Sequence, residues 1–296
     1  MTNLKPLSKK PIYVVGLPRS GTTWTASILN TADRVKYFYE PFNTDQVPEA
    51  VCHWNKYLLA GYKDQEFNQF CQDAFSGRVN RPAVLRKLAP PYRWLRYNLR
   101  WLPGRVMVKD VHSLMSLDWI DSHISPTTII LMRHPCAVAG SWFHTFKPTF
   151  AKGNIKGLER LLEQSQLFDD YLGPFETLLK EKGSFWHKVG HYWGAVYFVL
   201  LQQQKHHPDW IVIQHEQLCL NPMDEFRKLF DTLQLRWTQR TNQILQTSTT
   251  SDSGRSYVPS RVSSQEPEKW KQQLEAWQIE EVQAAVKPFG LPYYTS

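Results

Sequence analysis

The residues best suited to chemistry lie in one short stretch, Gly16-Leu17-Pro18-Arg19-Ser20-Gly21-Thr22-Thr23-Trp24. Two glycines bracket four residues, one of them a cation, and two threonines open the helical pattern that follows. A loop of this shape aims backbone N–H groups, and the positive end of a helix, at an anion. The spacing is that of a P-loop, G-x-x-x-x-G plus two residues. Where the nucleotide-hydrolysing version carries Lys, this chain has Thr22, so Arg19 is the only cation inside the loop. The expected anion seat runs from Arg19 through Ser20, Gly21, Thr22 and Thr23 to Trp24, without the usual hydrolytic hardware.

Other reactive groups follow short apolar runs. Glu40 stands before Pro41, after the run 35–39. Lys109, Asp110 and His112 close the run 105–110 and begin the loop after it. Arg133 follows the run 127–132, and Ser141 lies eight residues further on. A carboxylate or an imidazole can take a proton. These groups need elements to hold them. Residues 12–15, 35–39, 105–110, 127–132 and 210–213 read as strands, and 12–15, apolar and largely β-branched, suits a strand buried on both faces. Helical patterns follow the glycine loop, start at Pro135 where a missing N–H costs little, fill 150–206 with a turn near Gly173-Pro174, and end the chain at 268–286. The alternation predicts one α/β domain over residues 1–296 with a parallel sheet. Reactive groups at the carboxyl ends of its strands fall where open α/β sheets bind ligands.

The 296 residues include 42% apolar positions, enough for a sizeable core, and the net charge is +8. That charge suits an anionic ligand, an anionic acceptor, nucleic acid or a membrane surface. Eight cations fall between residues 78 and 105 with no Asp or Glu among them. On a helix, Arg93, Arg96 and Arg100 share one face, and leucines flanked by Trp94 and Trp101 share another. Such a segment either lies on an anionic membrane or forms a solvated face. The four cysteines, Cys52, Cys71, Cys136 and Cys219, have neither C-x-x-C nor zinc spacing. No metal constellation is visible, and no metal is expected. His53 reads as a surface or core histidine. Without an apolar leader or a run of about 18 apolar residues, the expectation is a cytoplasmic protein.

The glycine stretch closely resembles the 5′-phosphosulfate loop of sulfotransferases, of the carbohydrate, tyrosylprotein and bacterial branches that carry Arg in it. That resemblance covers nearly the whole chain. It implies a P-loop-like three-layer fold, a central parallel sheet flanked by helices, and 3′-phosphoadenosine 5′-phosphosulfate as donor cosubstrate. It implies an acceptor hydroxyl on a carbohydrate, glycolipid or small alcohol. Arg133 with Ser141 matches the family's 3′-phosphate motif, where a guanidinium fork and a hydroxyl hold the anion. Glu40 before Pro41 matches the proposed base of the Arg-loop branches. Lys109 and His112 are similar to the donor contact and base of the cytosolic branch, although His112 comes one residue later than in that pattern. The polar stretch 251–257 resembles a loop that closes over the donor, with Arg255 or Arg261 reaching the 3′-phosphate.

Two other readings compete. A P-loop nucleotide kinase or NTPase would need the missing Lys, and has no use for Arg133 with Ser141. A nucleic-acid-binding protein would use residues 78–105 and show salt-steep binding; the reading adopted expects no nucleic acid. The base is Glu40 or His112. Oligomeric state is not legible.

Overall fold

The computed structural model describes residues 10–79, 104–150, 155–250, 264 and 266–294, without the side chains of 146–150 and 250. Five strands, β1 (Ile12–Gly16), β2 (Val35–Tyr39), β3 (Arg105–Asp110), β4 (Thr127–Met132) and β5 (Ile211–Gln214), form one sheet in the order β2-β3-β1-β4-β5. Every neighbouring pair is parallel. Parallel neighbours need long crossovers, and helices supply them on both faces. Alternate residues of β1 therefore enter different cores. Tyr13 and Val15 pack with α2 (Gln65–Ser76), α3 (Leu117–Ile124), α4 (Pro135–Phe150), α5 (Phe185–Gln204) and the late helix Ala276–Val286. Ile12 and Val14 pack with α1 (Thr22–Leu29) and the helices Pro222–Thr232 and Gln239–Thr250. The result is the expected three-layer P-loop-like α/β fold.

Some expected elements differ. From residue 155 the expected helical region is a series of short turns and helices before the single long helix α5, which Ser184 starts by accepting the N–H groups of Trp186 and His187. The last helix is two, Lys269–Gln273 and Ala276–Val286, because Glu275 and Gln278 form a capping box that opens a new helix.

Of the basic segment, only its ends are described. Arg78 pairs with Asp73 at 2.8 Å. Arg105 is buried, and its guanidinium donates to the carbonyls of Lys10 (2.8 Å) and Leu233 and to the hydroxyl of Thr127 (3.1 Å). These two cations have local structural work at the helix end and the amino edge of the sheet. The rest of 78–105, the loop 251–257, Arg255 and Arg261 lie outside the described residues. No helix among the described residues is long and apolar enough to cross a membrane.

Candidate active site

The sequence-selected groups that are described gather at the carboxyl edge of the sheet. Arg19 follows β1, Glu40 follows β2, Lys109 and Asp110 end β3, and Arg133 follows β4. The strand order makes this possible: β3 lies between β2 and β1, so Glu40 and Lys109 are neighbours across one strand pair, in the register Tyr39 to Lys109.

The loop after β1 is crowded from both sides. A side chain at Gly16 would place its Cβ 2.4 Å from the carbonyl oxygen of Leu131. At Gly21, with φ of 88°, a Cβ would meet Nδ1 of His215 at 2.2 Å. Only glycine fits either position. Arg19 itself takes a left-handed backbone, with φ of 74°, a strained conformation for a non-glycine residue. Tyr197, on α5, holds the loop from behind. Its hydroxyl donates to the Leu131 carbonyl (2.8 Å) and accepts from the Leu17 N–H (3.3 Å) and the Ser20 hydroxyl (3.2 Å). That uses its one proton and both lone pairs. Trp142 adds an indole N–H to the Pro18 carbonyl at 2.9 Å.

These contacts divide the expected anion seat. Ser20 is fully buried, with its N–H on the Leu17 carbonyl at 3.1 Å and its hydroxyl on Tyr197, so it shapes the loop. Trp24 turns its indole N–H to Ser248 (3.1 Å) and packs edge-on against Phe226. The start of α1 remains: it has no side-chain cap and no acidic residue in its first turn. The first-turn N–H groups of a helix have no partner within it, and in α1 these include the N–H groups of Thr22 and Thr23.

Arg19, Arg133 and Ser141 are brought together. Arg19 Nε donates to Ser141 Oγ at 2.8 Å, and Arg133 donates to the Arg19 carbonyl at 3.1 Å. Arg133 is further fixed by an ion pair with Glu266 at 3.3 Å, and Trp193 donates to its carbonyl at 3.0 Å.

The other half of the edge is a buried charge pair. Lys109 Nζ bonds Glu40 Oε1, with the lysine and glutamate side chains 3% and 9% exposed. Asn43 donates to the second Glu40 oxygen at 2.8 Å, and Glu40 N–H reaches the Lys109 carbonyl at 2.7 Å. Like Arg19, Glu40 is left-handed, with φ of 44°. Burial pushes its carboxyl up, but the Lys109 charge and hydrogen bond, with His112 and Asn43, outweigh burial and hold it below the ordinary value. Asp110 is structural: it accepts from the N–H of Phe42 (3.0 Å) and His112 (2.6 Å) and from the Ser113 hydroxyl (3.2 Å). His112 is half-buried, and its Nδ1 accepts the indole N–H of Trp54 at 3.0 Å.

Comparison with known proteins decides the family. A family model described as "Sulfotransferase family" matches residues 11–239, well over half of the chain. The chain belongs to the sulfotransferase family. Among solved structures, the sulfotransferase domain from the curacin biosynthetic pathway is 14% identical, with 96% of this chain and 99% of that chain covered and a TM-score of 0.50. The mouse sulfotransferase SULT7A1, solved in complex with PAP, is 11% identical over 97% of this chain and 85% of its own, with a TM-score of 0.45. Sulfotransferase STF9 from Mycobacterium avium is 14% identical over 96% of this chain and 76% of its own, at a TM-score of 0.46. No curated protein matches the chain. The protein is thus a transferase of the sulfotransferase kind.

Sequence reading missed several residues of this edge. Tyr197 and Trp193 look like core aromatics, and they are buried, but their polar tips hold the loop and Arg133. Trp54, Asn43 and Glu266 belong to no motif. His53 proves to be core, edge-on to Phe67 and tilted against Phe70.

The buried pair makes a stability prediction. Lys109→Met leaves Glu40 buried without its cation and should cost roughly 3–5 kcal/mol, while adding Glu40→Gln should recover much of that loss. Because Glu40 is held below its ordinary range, its contribution is fully present above the unfolded carboxylate value. It is lost as pH falls through the lower folded value. Urea unfolding across acid pH should show that step in wild-type protein and not in Glu40→Gln.

Proposed function

We propose that this sulfotransferase moves a sulfuryl group from 3′-phosphoadenosine 5′-phosphosulfate to an acceptor hydroxyl. The observation that carries the reading is the Arg19–Ser141–Arg133 constellation. A loop with uncapped helical N–H groups adjoins a second pair of anion ligands, the Arg133 guanidinium just after the neighbouring strand β4 and the Ser141 hydroxyl on α4. Two seats on one sheet edge suit a donor with anionic groups at both its 5′ and 3′ positions. The chemistry of the residues fits: Arg is the preferred fork for phosphate, and a Ser hydroxyl adds a donor. The glycine cradle admits backbone close to an anion.

In this reading the first turn of α1, through Thr22 and Thr23, would hold the 5′-phosphosulfate end, and Arg133 with Ser141 the 3′-phosphate. Arg19 sits between the two. The donor supplies an activated sulfuryl group on a phosphate leaving group. The chain's own part is to neutralise charge as it builds on the oxygens, much as in phosphoryl transfer. Arg19 and the helix N-terminus do so on the loop side, and Lys109 on the β3 side.

Glu40 is the base that takes the acceptor's proton. Its carboxylate is ionised at neutral pH and is placed by Asn43 and Lys109 at the end of β2. His112 is the weaker candidate, because the lone pair on its Nδ1 is already occupied by Trp54. The acceptor is a carbohydrate, glycolipid or small alcohol, and incubation with labelled donor and a panel of these tests the reading. Transfer of label to a hydroxyl supports it; magnesium-dependent ATP hydrolysis without sulfuryl transfer would replace it with the kinase reading.

Two variants follow. Arg19→Ala should fold and should slow transfer by about 100-fold or more, the scale of losing one preorganised charge donor; near-normal turnover would remove Arg19 from the site. Glu40→Gln keeps shape and loses basicity, so it should bind donor nucleotide and lose roughly 100-fold or more in turnover, measured by steady-state kinetics beside nucleotide calorimetry.

A further inference from the structure

The loop after β3 carries a histidine whose ring is fixed from a distant segment. The indole N–H of Trp54 donates to Nδ1 of His112 at 3.0 Å. An indole nitrogen can only donate, so Nδ1 must offer its lone pair. A neutral imidazole carries one proton, and here that proton is confined to Nε2. We propose that Trp54 is a positioning residue that sets this tautomer, and that His112 thereby serves the reaction as an Nε2–H hydrogen-bond donor and not as a base.

The arrangement around the pair is built to keep it. His112's own N–H is on Asp110 at 2.6 Å, and its carbonyl accepts the N–H of Asn55, the residue after Trp54, at 2.7 Å. Asn55 is buried, with its side chain on the Tyr192 hydroxyl at 3.1 Å and its carbonyl on Gln164 at 3.1 Å. Trp54 and His112 are therefore clamped through their backbones as well as through their rings. Among the described residues Nε2 has no hydrogen-bond partner, so its proton is available.

Chemistry gives the donor a use. With Glu40 present as base, a second base on the same edge adds nothing, whereas a fixed N–H adds stabilisation where negative charge grows on the reacting oxygens. This inference rests on the reading of Glu40 as the base.

The first arm of the test does not depend on activity. Long-range imidazole nitrogen–proton correlation spectra of uniformly nitrogen-15-labelled enzyme, assigned with His112→Gln, should show His112 with an acceptor-type Nδ1 and a protonated Nε2. Trp54→Phe, which keeps the aromatic ring and removes the N–H, should give averaged, mixed-tautomer shifts. The second arm is sulfuryl transfer to the best acceptor of the panel. His112→Ala should lose about 10-fold or more in kcat, and His112→Gln should recover most of that, because an amide donates a hydrogen bond but is not a base. Trp54→Phe should lower kcat and leave the KM for donor unchanged. An Nδ1-protonated ring in wild-type enzyme, or a His112→Gln enzyme as slow as His112→Ala, overturns the proposal. The two readings fail separately: full turnover in Glu40→Gln removes the base assignment, while either result above removes this one.

Discussion

The hydroxyl of Tyr197 is the contact on which the glycine loop, the proposed anion seat, depends. It joins the Leu131 carbonyl at the end of β4 to the Leu17 N–H and Ser20 hydroxyl of the glycine loop. A loop with a left-handed arginine and two glycines that tolerate no side chain stores strain, and strain persists only where surrounding structure over-determines it. Burial makes that over-determination strong. A buried hydroxyl with all its hydrogen-bonding capacity satisfied resists rearrangement, since breaking any one bond strands a polar group. With Tyr197 and Trp142 behind it, the loop can present Arg19 and the start of α1 without collapsing onto the sheet.

The edge is also balanced in charge. On one side Arg19 and Arg133 bring cations together, tempered by Glu266 on Arg133. On the other, Lys109 and Glu40 form a closed pair. Taking a pair of ions out of water costs several kcal/mol per ion unless each is well matched, and Asn43 and the Tyr39 ring, 4.8 Å from the ammonium, complete the match. The same pair that stabilises the fold keeps Glu40 ionised. In the proposed reaction, the donor's negative charge beside Lys109 would draw the ammonium toward it, and the carboxylate would then be freer to accept a proton. Both functions come from the adjacency of β2 and β3.

Much of this was legible in the sequence, because the informative signals are local. The apolar runs mark three strands with their observed ends, while β1 runs one residue further, to Gly16, and β5 is displaced by one residue. The glycine spacing marks the loop, and Glu40, Lys109, Arg133 and Ser141 stand out as reactive groups after apolar runs. Their pairing was not legible. That Glu40 meets Lys109 follows from strand order, which no local pattern encodes. Tyr197 lies 177 positions from Ser20, and nothing nearby distinguishes its hydroxyl from those of other core tyrosines. Arg105 shows the opposite error: in sequence it closes a basic run, but its side chain turns under the sheet to satisfy carbonyls. Trp54 is invisible for the same reason as Tyr197, since its meaning lies in one long-range hydrogen bond.

The central claim is that two anion seats on one sheet edge, joined through Arg19, Arg133 and Ser141, read a nucleotide phosphorylated at both its 5′ and 3′ positions. Calorimetric titration with adenosine 3′,5′-bisphosphate, adenosine 5′-monophosphate and ATP tests it most directly. One charge-assisted contact is worth about 1.5–3 kcal/mol, so the bisphosphate should bind at least about 10-fold more tightly than the monophosphate, without magnesium, and Arg133→Ala should abolish the difference. Equal binding of the two adenosine phosphates, or tightest binding of ATP with magnesium, would contradict the account.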